Sequence, residues 1–169
     1  MIPIGENFSR VYLGTQTMGN LIEPTQVNIV NLSLELEKAV IRHDLGDDGI
    51  IYINEDGFFP FWIKILESRS FICLSTHTFF TRATTQEQRF EFCNRLNSQF
   101  FMVTAYVMND NILQIDHAIG FDDGLFQESF IRACRQFSRT IETALKQLDP
   151  DNELVLQPGQ NESEEAESE

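Results

Sequence analysis

The chain has little cysteine, little positive charge and no long apolar run, and each shortage removes a class of function. Its three cysteines, Cys73, Cys93 and Cys134, are odd in number, far apart and without a CxxC pair. That is not a disulfide framework; it points to reduced, buried thiols in a cytoplasmic protein. Only 12 Lys and Arg face 26 Asp and Glu, for a net charge of −14. Seven of the acids (Asp151, Glu153, Glu162, Glu164, Glu165, Glu167, Glu169) follow Pro150, where there is no base, leaving −7 for residues 1–150. Phosphate backbones are bound by Lys and Arg that neutralise them, so an acidic body argues against nucleic acid. No window approaches the roughly 20 apolar residues of a membrane span. The start, MIPIGENFSRVYLG, lacks the basic and apolar regions of a signal peptide.

Reaction motifs are missing too. There is no GxSxG elbow and no glycine-rich phosphate loop. His43, His77 and His117 match no metal spacing. Asp116 beside His117 in a strand points to the other face and cannot easily orient it. Asp47-Asp48, Glu55-Asp56 and Asp122-Asp123 lack the spacing of an EF-hand and read as solvated turns. Asn31 and Asn161 begin glycosylation triplets, which a cytoplasmic chain does not use. No catalytic, cofactor or metal site is expected.

What is present is a packed α+β pattern. With 42% hydrophobic residues and fifteen Phe, 169 residues suit one core and one domain. Residues 1–23 read as an N-terminal arm, apolar without a clear period. Pro24-Thr25 opens a helix with Val27, Val30, Leu34 and Ile41 on one stripe, ending near Asp44 to Gly46. Three strands follow, residues 50–54, 59–66 and 71–78, joined by short turns and therefore antiparallel neighbours. Pro60 suits a strand end or an edge. Thr84, with Glu87 three residues on, reads as a capping box for a helix to about Gln99 that buries Phe92, Cys93, Leu96 and Phe100. Residues 102–108 and 112–119 form a hairpin about Asn109-Asp110-Asn111. After GFDDG, one long helix carries Phe126, Phe130, Ala133, Cys134, Phe137, Ile141, Leu145 and Leu148 on one face.

The order α-β-β-β-α-β-β-α implies an α+β fold with a mostly antiparallel five-stranded sheet and helices packed on one face. The single domain spans residues 24–150. Residues 151–169 form an acidic tail, disordered from about Gln157 onward, which either solubilises the chain or attracts basic partners.

The most informative pattern is on the sheet. Alternation places Ile51, Ile53, Phe61, Ile63, Ile65, Phe71, Cys73, Val103, Ala105, Val107, Leu113, Ile115 and Ile119 on a helix-covered face. The other face receives Tyr52, Trp62, Lys64, Ile72, Leu74, Thr76, Met102, Thr104, Tyr106, Met108, Gln114 and Asp116. An outer face is normally more polar than that, and Trp, Tyr and Met are enriched at protein interfaces. Tyr52, Trp62, Met102, Tyr106 and Met108 are therefore the candidate partner-binding residues, unless the arm or the helices cover them.

The strand block IIYINEDGFFPFWIKILESRSFICLST, the helix FEFCNRLNSQF with Asn94, Leu96 and Asn97, the hairpin MVTAYVMNDNILQIDHAIGF and the helix FQESFIRACRQFSRTIETAL together resemble the YbjN family of bacterial proteins. That family is described as sensory-transduction regulators and is similar in fold to type III secretion chaperones. The resemblance covers roughly residues 25–148 and implies a non-enzymatic, dimeric protein that binds other proteins. Three readings stand side by side. The first is a cytoplasmic chaperone-like or regulatory module holding a client on its sheet or an edge strand. The second is a small-molecule sensor with a pocket between helices and sheet, and the third an enzyme whose site the sequence does not reveal.

Overall fold

The computed structural model describes residues 20–156. The first helix, α1 (Ile29–Lys38), begins later than expected. Pro24–Gln26 forms a separate 3-10 turn, and Asn28 is the true cap, its side chain accepting from the Asn31 N–H at 2.9 Å. Leu32 and Leu36 turn inward. The helix ends in a Schellman motif: Val40 N–H donates to Glu37 O and Ile41 N–H to Leu36 O, both at 2.9 Å. The motif needs a left-handed residue, and here it is Val40, at φ 58° and 85% exposed. A β-branched side chain is poorly suited to that region. Val40→Gly is therefore expected to raise stability by about 0.5–1 kcal/mol, measured as a higher urea midpoint; a lower midpoint would show that Val40 is not strained.

Three short strands lie beyond the five expected. Two of them, β1 (Leu21–Ile22) and β8 (Leu125–Phe126), pair in a small antiparallel sheet of their own. The third, β2 (Asp44–Leu45), follows α1 and pairs with β3 (Ile51–Ile53). With β4 (Phe61–Leu66), β5 (Phe71–Phe79), β6 (Thr104–Met108) and β7 (Ile112–Gly120), the main sheet has six strands rather than five. Their order is β2-β3-β4-β5-β7-β6, and every pair of these strands is antiparallel. Asn109 and Asp110 both take positive φ in the β6–β7 turn, as tight turns built on Asn and Asp allow.

Helix α2 (Gln86–Gln99) is capped one residue later than the sequence suggests. Thr85 accepts from Gln88 N–H, and the Gln88 side chain accepts from Thr85 N–H. Thr84 is buried instead, donating to Leu154 O at 3.1 Å. Helix α3 (Gln127–Leu148) buries Phe130, Cys134, Phe137, Ile141, Leu145 and Leu148 as expected. Phe126 does not join that stripe; it is exposed in β8, opposite Leu21. All three helices share one hydrophobic core with one face of the main sheet, at roughly 1.5–3 kcal/mol per fully buried large side chain.

The body also includes residues that composition groups with the acidic tail. Leu154, Val155 and Leu156 return along β5, with Thr81 N–H donating to Leu154 O and Leu156 N–H to Phe79 O. Val155 and Leu156 are buried. The arm up to residue 19 and the tail beyond residue 156 lie outside the described residues.

Candidate functional site

The face of the main sheet opposite the helices is set by strand register. One row crosses it through Asp44, Tyr52, Trp62, Ser75, Asp116 and Thr104. A second row adds His77, Gln114 and Tyr106, and a third Phe79, Ile112 and Met108. Tyr52, Lys64, His77, Ala118 and Tyr106, one from each of β3, β4, β5, β7 and β6, are exposed, so the face is open among the described residues. His77 joins the aromatics edge-on, its ring 5.2 Å from Trp62 and 5.8 Å from Phe79.

Hydrogen bonds hold the two tyrosine rings in place. Tyr106 O–H donates to Asp116 Oδ2 at 2.8 Å, and Gln114 Nε2 to Asp116 Oδ1 at 2.7 Å. Partial burial, then the Asp116 carboxylate, pushes the Tyr106 phenol up to about 12. At the sheet margin Tyr52 O–H donates to Asp48 Oδ2 at 2.7 Å. That bond raises the phenol and lowers the carboxyl. Both tyrosines stay protonated at neutral pH, and pre-oriented aromatic side chains lose little freedom on docking.

The edges of the sheet are less available than its face. On β6, the Asn97 side chain of α2 bonds Ala105 twice, donating to its carbonyl at 2.9 Å and accepting from its N–H at 2.7 Å. A side-chain amide thus takes the place of a neighbouring strand. Arg89, also on α2, donates to the Asp110 carbonyl in the hairpin turn. The opposite edge, β2, is two residues long. Short or covered edges resist strand addition.

Of the five candidate residues, Tyr52, Trp62, Tyr106 and Met108 are on this face. Met102 lies in the turn before β6 and is half-buried. The expected alternation is inverted throughout β5. Ile72, Leu74 and Thr76 point into the core, paired with Ile119, His117 and Ile115, whereas Phe71 and Cys73 lie on the open face. His77, Phe79, Ser75 and Cys73 are consequently site residues that the sequence reading missed.

Reactive groups are quiet. Cys73 is half-buried, not buried as expected, with Sγ 3.3 Å from Ser75 Oγ. Burial raises all three thiols, Cys93 to about 11, which suppresses the thiolate. His117 stacks on Phe137 on the core side, apart from Asp116 as expected, and burial lowers its pKa. An unanticipated pair joins Ser33 Oγ to His43 Nε2 at 2.6 Å, with His43 Nδ1 2.9 Å from Ile41 O. The spacing is that of a nucleophile and base. Ser33, however, is buried and does not line the adjacent cavity of about 480 Å³ that His43 borders. It ties α1 to the start of the sheet. Among the described residues there is no group of three or more potential metal ligands, and no helix is long and apolar enough to cross a membrane.

The fold and this face define a class: a two-layer α+β domain of three helices on an antiparallel sheet, with an aromatic sheet surface left open. The chain belongs to the YbjN family, described as "putative bacterial sensory transduction regulator", whose model matches residues 29–150. The fold is similar to that of YbjN from E. coli, at a TM-score of 0.65 and 16% identity, covering 77% of this chain and 96% of that one. A weaker likeness, at a TM-score of 0.49 and 10% identity, is to the HopA1–SchA chaperone–effector complex, covering 67% of this chain and 86% of that one. No curated protein matches.

Proposed function

We propose that this chain is a non-enzymatic protein-binding module, regulatory or chaperone-like, acting in the cytoplasm as a homodimer that pairs through the open sheet face. The observation that carries the reading is the cluster of aromatics Tyr52, Trp62, His77 and Tyr106, its two tyrosines fixed by hydrogen bonds, on a sheet whose edges are short or closed. Trp and Tyr are the residue types that dominate interface energetics. Use of the face for self-association leaves the helices for a client polypeptide. A small-molecule sensor is less well supported, because Phe61, Phe80, Phe92, Phe130 and Phe137, candidates to line a pocket, are fully or almost fully buried in the core.

Trp62→Ala is expected to weaken self-association by about 2 kcal/mol, roughly 30-fold in Kd, read by light scattering across a concentration series. Trp62 is the only Trp, so its emission should shift to the blue as the wild-type chain associates. A wild-type chain that stays monomeric, with unchanged emission and Cys73 alkylated at a constant rate over the series, would overturn the dimer. A dimer indifferent to Trp62→Ala would move the interface off this face.

A further inference from the structure

A third of the positive charge of this acidic chain meets in one groove. A groove of about 700 Å³ between the end of α1 and the first half of α3 is lined by Lys38, Arg132, Arg135 and Arg139, with Ala39 and Ile131 as apolar floor. Four of the chain's 12 bases therefore share it. Lys38 is paired with Glu35 at 2.7 Å, and Arg135 donates to Ala39 O at 3.2 Å. Arg132 and Arg139 are exposed, and neither side chain has a hydrogen bond or ion pair to another described residue. Glu35 and Glu128 also border the groove, which disfavours a compact multivalent anion. The three guanidiniums form a row on one helix face, at i, i+3 and i+7, about 10 Å from first to last.

We propose that this groove is the docking site of the chain's own acidic C-terminal segment, residues 162–169. In an extended chain alternate residues share a side, so Glu165, Glu167 and Glu169 would present carboxylates on one edge, about 13 Å from first to last, a match for the arginine row. The point of departure suits the path. Val155 N–H is bonded to the Asp149 carboxylate at 2.8 Å, so the chain leaves the body beside the C-terminal end of α3. Arg139 lies nine residues back along that helix, about 14 Å. The nine residues from Leu156 to Glu165 span up to about 30 Å. Such exposed ion pairs are individually weak and screened by salt, which makes the contact reversible.

The test uses the full chain in two variants, one with Glu162, Glu164, Glu165, Glu167 and Glu169→Gln, the other with Arg132→Glu and Arg139→Glu. At low salt the amide and Arg Nε resonances of Arg132, Arg135 and Arg139 are expected to move in the Glu→Gln variant. Wild-type resonances should approach the same positions as NaCl is raised until the Debye length is a few Å. Tail amides should move in the arginine variant. Groove resonances identical in wild type and the Glu→Gln variant would overturn the proposal. It would equally fall if the groove responded only to added poly-glutamate, which would make it a site for a foreign acidic chain. Arg132, Arg135 and Arg139 lie on α3, away from the open sheet face, so their response is independent of the dimer.

Discussion

Asn97→Ala is expected to lower the unfolding free energy by about 2–3 kcal/mol and to make the protein prone to edge-to-edge association. The Asn97 amide supplies both partners of Ala105, which is itself 4% exposed, on the outer side of strand β6. Alanine removes donor and acceptor together. Each stranded backbone group costs about 1–3 kcal/mol, with part recovered where water reaches the edge. Asn97→Asp separates the two contributions: it still accepts from the Ala105 N–H, but it cannot donate to the carbonyl, and it should lose about half as much. Urea denaturation measures the first effect, and light scattering at rising concentration the second. A midpoint within error of wild type would show that solvent replaces the amide at no cost. A destabilised variant that stays at wild-type mass would show that α2 itself, not this one side chain, guards the edge.

Much of the fold was legible, for reasons that can be located. The apolar stripe of α3 repeats strictly from Phe130 to Leu148, and the hairpin turn is rich in Asn and Asp, so local chemistry and tertiary packing agree there. The failures lie where they compete. Pro24-Thr25 and Asn28 both signal a helix start; the 3-10 turn took the first and α1 the second. Asp44–Leu45 carries no strand signature and pairs because the chain after Val40 is directed back alongside β3. Phe126 has the period of α3 but one residue too few to be inside it.

At the candidate site, β5 decided the outcome. Its start, Phe71-Ile72-Cys73-Leu74, is apolar at every position, and Ser75 and Thr76 are both buried, so alternation within the strand is uninformative. The signal existed one strand away. The four-residue turn Glu67 to Ser70 pairs Leu66 with Phe71, and hence Lys64 with Cys73 and Ile63 with Leu74. Because β4 alternates clearly, with Ile63 inside, Leu74 must follow it inward and His77 must face out beside Trp62. The Asn97 clamp had a faint precursor in the asparagines at the end of α2. No sequence pattern says that an amide will dock against a strand eight residues on.

Asp149 produces the other large effect. Read from composition, Asp149-Pro150 marks the end of the domain; in the structure it organises the last folded turn. The residue is 5% exposed, and its carboxylate accepts three backbone N–H groups, from Glu153 at 2.9 Å, Leu154 at 3.0 Å and Val155 at 2.8 Å. Hydrogen bonds to a charged group contribute about 1.5–3 kcal/mol each, but the three do not add without limit, because the segment can detach alone. The ceiling is what its docking contributes, chiefly the burial of Val155 and Leu156 at about 1.5–3 kcal/mol apiece. Asp149→Ala is therefore expected to cost about 3–4 kcal/mol. Asp149→Asn, which keeps one acceptor and turns a donor toward another donor, should cost about 2 kcal/mol. The characteristic observation is local: hydrogen exchange should accelerate at the Thr81, Val155 and Leu156 amides, which bond within this segment or to it, before it changes in β7. Unchanged exchange there in Asp149→Asn would mean that the Thr78, Thr81 and Thr84 hydroxyls, which donate to carbonyls of the same segment, hold it without the carboxylate. Detachment would also free the point from which the acidic segment departs. Asp149→Ala should therefore weaken the proposed contact of the tail with Arg132 and Arg139 while leaving both partners chemically intact.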